Sequence, residues 1–330
     1  MVEEGYRVQL NRPGDPGSLE LSGHPRREPC PGEVEIEVAA AGLNFADVLV
    51  VFGMAEAVGK GDVRRLGLDG SGTVTRTGAG VSEVSRGDRV VFFAEGALAS
   101  HVTVAAELVV AVPDTLSATE AATLPVAYLT AWYALVRLAG LRTGETTLIH
   151  SAAGGVGLAA VNVAAMRGAR VLATCGTEKK RKYLEERGLD HVLPSRSLEF
   201  AEQARALSGD GVDVVLNSLT GDAQQAGLDL LRLHGRFVEI GMRDIHGGGS
   251  IALAPFRNNI SMHSVDLMLL SRADRPLVRE LLNELAPLWA DGTLEPLPHS
   301  AHDVSEAASA FRAMTTGRHI GKTVLTFPAG

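Results

Sequence analysis

Gly154, Gly155 and Gly157 stand in "IHSAAGGVG" (149–157), between an apolar run and a stretch of helical periodicity. In a strand–glycine turn–helix unit, backbone N–H groups and the positive end of a helix dipole hold a pyrophosphate. Gly154 and Gly155, flanked by Ala153 and Val156, would let the backbone approach the phosphates, and Gly157 would let the helix pack closely on the strand. The next strand ends Thr174-Cys175-Gly176-Thr177, without the Asp or Glu that holds ribose hydroxyls in NAD sites. Lys179 follows in "EKKRK", and "PSRS" (194–197) brings Ser195 and Arg196 to the end of a third strand. Cations at these places suit a 2′-phosphate. The expected cofactor is therefore NADPH, with Thr177, Lys179, Ser195 and Arg196 at its adenine end. Lys180 and Lys182 read equally well as a solvated helix face.

No second constellation of this weight occurs. Tyr128, Tyr133 and Tyr183 are followed four residues later by Trp132, Arg137 and Arg187, so there is no Tyr-x-x-x-Lys pair, and no Gly-x-Ser-x-Gly elbow appears. His299 and His302 fall in a proline-bounded stretch read as a loop with no third ligand. Cys30 and Cys175 form neither a C-x-x-C pair nor a disulfide framework, so no metal is expected. A net charge of −8 argues against nucleic acid, which demands clustered cations. No apolar run is read as approaching the ~18 residues of a membrane span. The start, "MVEEGYRVQL", lacks the basic and apolar regions of a signal peptide, so a cytoplasmic protein is expected.

The elements that carry the glycine turn begin near residue 117. "SATEAATLPVAYLTAWYALVRLAG" (117–140) opens with Ser117 three residues before Glu120, a capping-box spacing, and continues at helical period with a break at Pro125. Strands and helices then alternate: "TTLIHS", a helix from Val156, "RVLATC", a helix from Glu178, "HVLP", a helix from Leu198, "GVDVVLNS", a helix from Asp222, and "GRFVEIG". Such alternation implies a parallel sheet with right-handed crossovers. Before it lie short runs bounded by glycine, such as "GEVEIEVAAAG" (32–42) and "GDRVVFF", which suit a rolled β domain. After Asp266 comes a mainly helical tail ending in the strand "GKTVLTF".

A β-rich front, a late "AAGGVG" and a returning C-terminal segment together resemble the medium-chain dehydrogenase/reductase superfamily. The resemblance implies an α/β chain in which residues 1–120 and 266–330 form a GroES-like β-rich catalytic domain. Residues 121–265 form a Rossmann parallel-sheet domain for NADPH, with the cofactor in the cleft between the two. Zinc-dependent members carry an early Cys and a Gly-His-Glu motif; here the stretches read "AGLNFADV" and "GLDGSG", with Leu68 at the histidine position, which resembles the zinc-free, quinone-reductase-like branch. Eight segments in order narrow it: "AGLNFADVL", "GDRV", "PVAYLTAWYAL", "IHSAAGGVGLAAV", "EKKRKYL", "SRSLEFAE", "GVDVVLNSL" and "GRFVEIG". Together they resemble the enoylreductase domains of polyketide synthases and animal-type fatty acid synthases.

That family implies NADPH-dependent reduction of a trans-2-enoyl thioester carried by an acyl carrier protein, with neighbouring synthase domains as partners. Hydride would reach the β-carbon, charge would move to the thioester oxygen, and the α-carbon would take a proton. Asn44, in "LNF", could donate its amide to cofactor or substrate, or simply hold its loop. Thr130 and Tyr128 fall in the nicotinamide-side segment, Asn217 and Gly241 at the ends of Rossmann strands, and Leu49 and Phe52 among pocket residues. Arg64 and Arg65 are candidates for meeting an acidic carrier.

Two departures stand out. Family members commonly place a lysine after "EIG", proposed as a proton donor working with a later aspartate. Here Met242 occupies that position, followed by Arg243, while Asp266 matches the aspartate. A thioether gives no proton, and a guanidinium hardly deprotonates. Second, Val48-Leu49-Val50-Val51-Phe52 lacks the tyrosine that some relatives carry there. The alternatives kept are a free-standing quinone or enone reductase, and a weak or silent enoylreductase-like domain because of Met242.

Overall fold

The computed structural model describes residues 4–54 and 65–328. The chain divides into two compact units, Met1–Val126 with Leu270–Gly330, and Ala127–Leu269.

The first unit is built on β hairpins. Strands β1 (Glu4–Leu10) and β2 (Leu19–Pro25) form an antiparallel pair. The central strand β3 (Glu33–Leu43) alternates at its start and is almost wholly buried at its end. It pairs antiparallel with β4 (Asp69–Thr77) and β6 (His101–Ala105), and β4 pairs in turn with β5 (Arg89–Phe93), which meets β7 (Val109–Ala111). Glu35, in the alternating part of this strand, is fully buried. Burial alone would raise its pKa, but hydrogen bonds from Arg26, Arg76 and Thr75 overcome that and hold the carboxyl at about 2.

The second unit holds a six-stranded, all-parallel sheet. Its strands are β8 (Thr146–Ile149), β9 (Arg170–Cys175), β10 (Val192–Pro194), β11 (Val212–Asn217), β12 (Leu231–Glu239) and β13 (Ser261–Ser264). They lie in the order β10-β9-β8-β11-β12-β13. This is the doubly wound nucleotide-binding order, whose chain reverses direction between β8 and β11 and opens a crevice at their carboxyl ends. β11 is buried along its whole length, as a strand covered by helices on both faces must be. Its core packs Leu148, Leu172, Val215 and Phe237 of four strands against Phe200 and Leu228 of the flanking helices.

The last part of the chain returns to the first unit. Helix Arg275–Ala290 precedes β14 (His299–Asp303), and β15 (Lys322–Thr326) lies between β14 and β3. His299 and His302 therefore stand on a strand parallel to β15, not in a loop. The local polarity of "HSAHD" hid this, because the partner strand lies over twenty residues further on.

The segment after Ser117 needs a second correction. The capping box is present, with Glu120 N–H bonded to Ser117 and Ser117 N–H bonded to the Glu120 carboxylate. The run Ala118–Leu138 reaches membrane-spanning length and apolarity, but 78% of its most apolar window is buried inside the protein. It is interrupted before Pro125 and ends in a π-helical turn, Tyr133–Leu138. These are properties of a core helix.

Candidate active site

The glycine turn sits where the crevice opens. After β8 the chain turns through Ser151, at φ +53° a rare conformation for a residue with a side chain, closed by Gly154 N–H to Ser151 O at 2.9 Å. Helix Gly155–Met166 then starts with Gly154 as its cap and no side-chain hydrogen bond to its first amides. Those amides have no intrahelical acceptor, so they are free to bind an anion. A Cβ on Gly157 would lie 2.4 Å from Ser151 O and 2.7 Å from Ala152 Cα, so only glycine lets the helix approach the turn. Ser218, after β11, donates its hydroxyl to Ser151 Oγ across the strand reversal at 3.0 Å. His150, between β8 and the turn, is buried with Nδ1 3.1 Å from Thr174 Oγ1 and Nε2 unpartnered. Burial lowers its pKa to about 3, so the ring is neutral.

Beyond β9 the four cations of "KKRK" separate into two kinds. Arg181 donates to Val192 O and pairs with Glu178, and Lys182 lies 3.8 Å from Glu186. Lys179, Lys180 and Arg196 have no carboxylate partner among the described residues. The Arg196 guanidinium lies across Gly176, whose Cβ, if present, would be 3.2 Å from Arg196 Nε and 3.4 Å from Ser195 Oγ. Lys180 is half-buried; burial lowers its pKa, Cys175 raises it, and the nearby Arg196 charge lowers it again. Lys180 is thus close enough to Arg196 to feel its charge, whereas Lys179 is exposed to solvent. Thr177 spends its hydroxyl on capping the helix at Lys180 N–H. A nicotinamide dinucleotide fits this set: a turn whose Gly157 admits no side chain, helix amides without an intrahelical acceptor, and cations with no carboxylate partner among the described residues.

At the carboxyl ends of β11 and β12 a buried carboxylate organises the loops. Glu239 accepts hydrogen bonds from Gln224 Nε2 at 2.7 Å, Asn217 Nδ2 at 2.5 Å and Gly241 N–H at 2.6 Å. Burial raises its pKa while these donors lower it, and the net shift is upward. Asn217 also bonds to Leu219 O and Leu219 N–H, so its side chain is committed to the turn. Gly241 and half-buried Met242 follow directly, and Arg243 is exposed. Glu239 pairs with Ser264, so Met242 and Asp266 stand just past the ends of adjacent parallel strands. Asp266 accepts Leu269 N–H at 3.0 Å. Tyr128 is fully buried, and its hydroxyl accepts from Asn162 Nδ2 at 2.8 Å; it is a core residue of this unit. Thr130 is also buried.

In the first unit, Asn44 caps the helix Phe45–Val51 and joins a cluster that its neighbours in sequence do not suggest. Its Nδ2 donates to Asp69 Oδ1 at 2.8 Å and Gly42 O at 3.2 Å, and its Oδ1 accepts from Lys322 Nζ at 2.7 Å. Lys322 also pairs with Asp69 Oδ2 at 3.5 Å, and both are buried. Asp47, buried in the same helix, accepts Gly67 N–H and Asn44 N–H, yet burial raises its pKa to about 6. Leu49 and Phe52, on and just after this helix, are half-buried. Asp47, Asp69, Lys322 and Glu239 were not singled out by the sequence. The one signal was an ionisable residue among the apolar residues of "LNFADVL", "GKTVLTF" and "RFVEIG", and a lone aspartate between the glycines of "GLDGSG".

Two family models match the chain: the alcohol dehydrogenase GroES-like domain over residues 30–114, and the zinc-binding dehydrogenase over 187–325. A mycocerosic acid synthase-like polyketide synthase of Mycobacterium tuberculosis is 46% identical over 99% of the chain, which spans 16% of that relative. The crystal structure of CurK enoyl reductase is 37% identical, covering 99% of this chain and 100% of that one, with a TM-score of 0.91. The chain belongs to the polyketide synthase enoyl reductases. A mycobacterial protein solved with NADPH, 27% identical over 98% of this chain and 100% of its own, superimposes at a TM-score of 0.85.

As a GroES-like domain joined to a Rossmann domain, this enoyl reductase has the fold class its sequence implied. One matched model carries a zinc-binding name. Among the described residues, however, no group of three or more His, Cys, Asp or Glu could hold a metal ion, and Leu68 is buried beside Asp69. Arg64 lies outside the described residues. Arg65 is exposed and lines a cavity of about 300 Å³ with Arg7, His24 and Arg26. Burial and then Arg7 and Arg65 lower the His24 pKa.

Proposed function

We propose that this enoyl reductase uses NADPH to reduce a trans-2-enoyl thioester presented on an acyl carrier protein. Bound at the glycine turn, NADPH supplies a hydride from its nicotinamide C4. The free amides at the start of helix Gly155–Met166 bind the pyrophosphate, and Gly157 keeps the turn close enough for them to reach it. Arg196 and Lys180 hold the 2′-phosphate, with Lys179 adding charge from solvent. Glu239 fixes the loop that carries Gly241 and Met242. At Met242 no proton is available, so the α-carbon is protonated by water or by Asp266. Arg243 can steady the enolate without giving up its proton. Among these points, the one that carries the cofactor assignment is the set of unpaired cations at a strand end that has no carboxylate. The reaction rests on the likeness to CurK enoyl reductase, and the carrier partner on the likeness to polyketide synthases.

Stopped-flow loss of NADPH absorbance with a carrier-bound crotonyl thioester tests the reading. Turnover with that substrate well above turnover with simple quinones is expected, and a strong quinone preference refutes it. A second reading, a domain that binds NADPH without turnover, rests on Met242. Its signature is tight NADPH binding, no reduction of any enoyl thioester, and activity gained in Met242→Lys.

A further inference from the structure

The cavity that Arg65 lines takes its walls from three segments of the first unit. β1 pairs with β2 along one edge and runs beside residues 98–100 along the other, where Val8 N–H reaches Leu98 O and Ser100 N–H reaches Tyr6 O, both at 2.8 Å. Leu98 gives its own N–H to Leu66 O at 3.0 Å, so Arg7 and Arg65 come from two segments joined at Leu98. His24 comes from β2. It lies opposite Gly5, as Ser22 lies opposite Arg7, so Arg7 and His24 share one face of the β1–β2 ribbon. A Cβ on Gly5 would stand 2.9 Å from Ser100 Oγ and 3.5 Å from Arg26 Cγ, which sets that face close to both. The stem of Arg65 crosses Gly96, whose Cβ would meet Arg65 Cβ and Cδ at 3.4 Å.

The carboxylates on the cavity wall are already engaged. Glu35 accepts Arg26 at 2.6 Å and 3.0 Å and Arg76 at 2.7 Å, and Glu95 accepts Arg272 Nε at 2.7 Å. Arg27 is paired with Glu33 at 2.7 Å. What remains is positive: among the described residues, Arg7, Arg65 and His24 make no ion pair or side-chain hydrogen bond. Arg7 and His24 are half-buried and Arg65 is exposed. Burial first, and then the charges of Arg7 and Arg65, push the His24 pKa below its ordinary value. His101 on the same wall is also lowered, by burial and then by Arg26. Like charges gathered in a concavity, on a chain of net charge −8, repel one another until an anion answers them.

We propose that this cavity is a phosphate-ester site, built wholly from the first unit, with Arg7, Arg65 and His24 as its ligands. A phosphate brings up to two negative charges and enough oxygens for two guanidinium forks. A volume of about 300 Å³ is that of a small-molecule site and exceeds what one phosphate fills, which leaves room for an organic group. An anion beside His24 favours the charged imidazole, so binding raises the His24 pKa. Two sources carry the group: a free phosphate ester, and the phosphodiester that joins a pantetheine arm to its carrier. The second source rests on the function proposed above.

Calorimetry with phenyl phosphate compares the unaltered protein with Arg7→Gln/Arg65→Gln. Saturating NADPH is present throughout, so that the glycine turn and its cations are occupied, and a melting scan confirms that the variant folds. The Kd for phenyl phosphate should rise at least about tenfold in the variant, while the NADPH Kd stays unchanged. Proton NMR of His24, assigned with His24→Gln, should show its pKa rising when phenyl phosphate is added to the unaltered protein. A second arm compares KM for carrier-bound crotonyl thioester, which contains the phosphodiester, with KM for crotonyl pantetheine, which lacks it. A rise in the variant for the first substrate alone assigns the carrier's arm. Unchanged KM values, with phenyl phosphate binding lost, assign a free phosphate ester. Equal phenyl phosphate affinity in both proteins, or a His24 pKa that does not move, overturns the proposal. So does weakened carrier binding where phenyl phosphate never binds, which would make this surface a dock for acidic side chains. If the unaltered protein turns over no enoyl thioester, the reaction reading fails while the calorimetry still decides the phosphate site.

Discussion

Two polar clusters, one in each unit, are in opposite states. Around Asn44 every charge is answered: Lys322 by Asp69, and Asp69 by Lys322, Asn44 and Val126 N–H. Around the glycine turn and β9, among the described residues, the cations Lys179, Lys180 and Arg196 have no carboxylate partner, and no side chain caps the first helix amides. A closed cluster fixes geometry before any ligand arrives, and its disruption is felt as lost stability. An open cluster contributes little to folding and gives its energy to whatever anion completes it.

This contrast is broken most severely at the closed cluster. Lys322→Met leaves Asp69 buried without its cation and should cost about 3–5 kcal/mol of stability. Asp69→Asn/Lys322→Met should recover most of that loss in a denaturant titration. Equal stability of the two variants would show that the ion pair is not the source.

The open cluster should answer in affinity. Arg196→Ala/Lys180→Ala should raise the NADPH Kd by a factor on the order of 100 and leave stability within about 0.5 kcal/mol. NADH binding should hardly change. If NADH binds the unaltered protein as tightly as NADPH, the cations serve another purpose.

A pH series separates the units further. Asp47, with its pKa raised to about 6 by burial, favours folding when protonated, and that contribution is lost as pH rises through 6. His150, lowered to about 3, contributes stability that is full above its ordinary value near 6.5 and lost as pH falls. The two slopes oppose each other between pH 4.5 and 6. Replacing His150 by Phe should expose the Asp47 slope. The stability of the unaltered protein minus that of His150→Phe should grow by about 1.4 kcal/mol per pH unit over this window. A flat difference would mean that His150 titrates normally.

The smallest effect is expected at Lys179. Exposed as it is, Lys179→Ala should raise the NADPH Kd only about two- to threefold at low salt and less at 0.5 M salt, where solvent charges are screened. A loss as large as that of Arg196→Ala would reverse the ranking of Lys179 and Lys180.

Much of the second unit was legible along the chain. The glycine turn, the alternation of strands and helices, and the missing carboxylate after β9 are all local, because a βαβ unit is assembled from consecutive residues. Which of two neighbouring lysines is half-buried was not legible. Lys179 and Lys180 are adjacent in sequence, and only the pitch of helix Glu178–Glu186 turns one inward and leaves the other in water. His299 and His302 looked like loop residues because β14 owes its existence to β15.

By itself the sequence determined the fold class, the glycine turn and the sign of charge around it, since each depends on residues close together along the backbone. Tertiary structure decided the state of Asn44. Its partner Lys322 lies 278 positions away, and local spacing carries no information on a contact made by closing a sheet from both ends of the chain. An amide that could point either way as a free side chain is held in one orientation by a buried lysine and a buried aspartate.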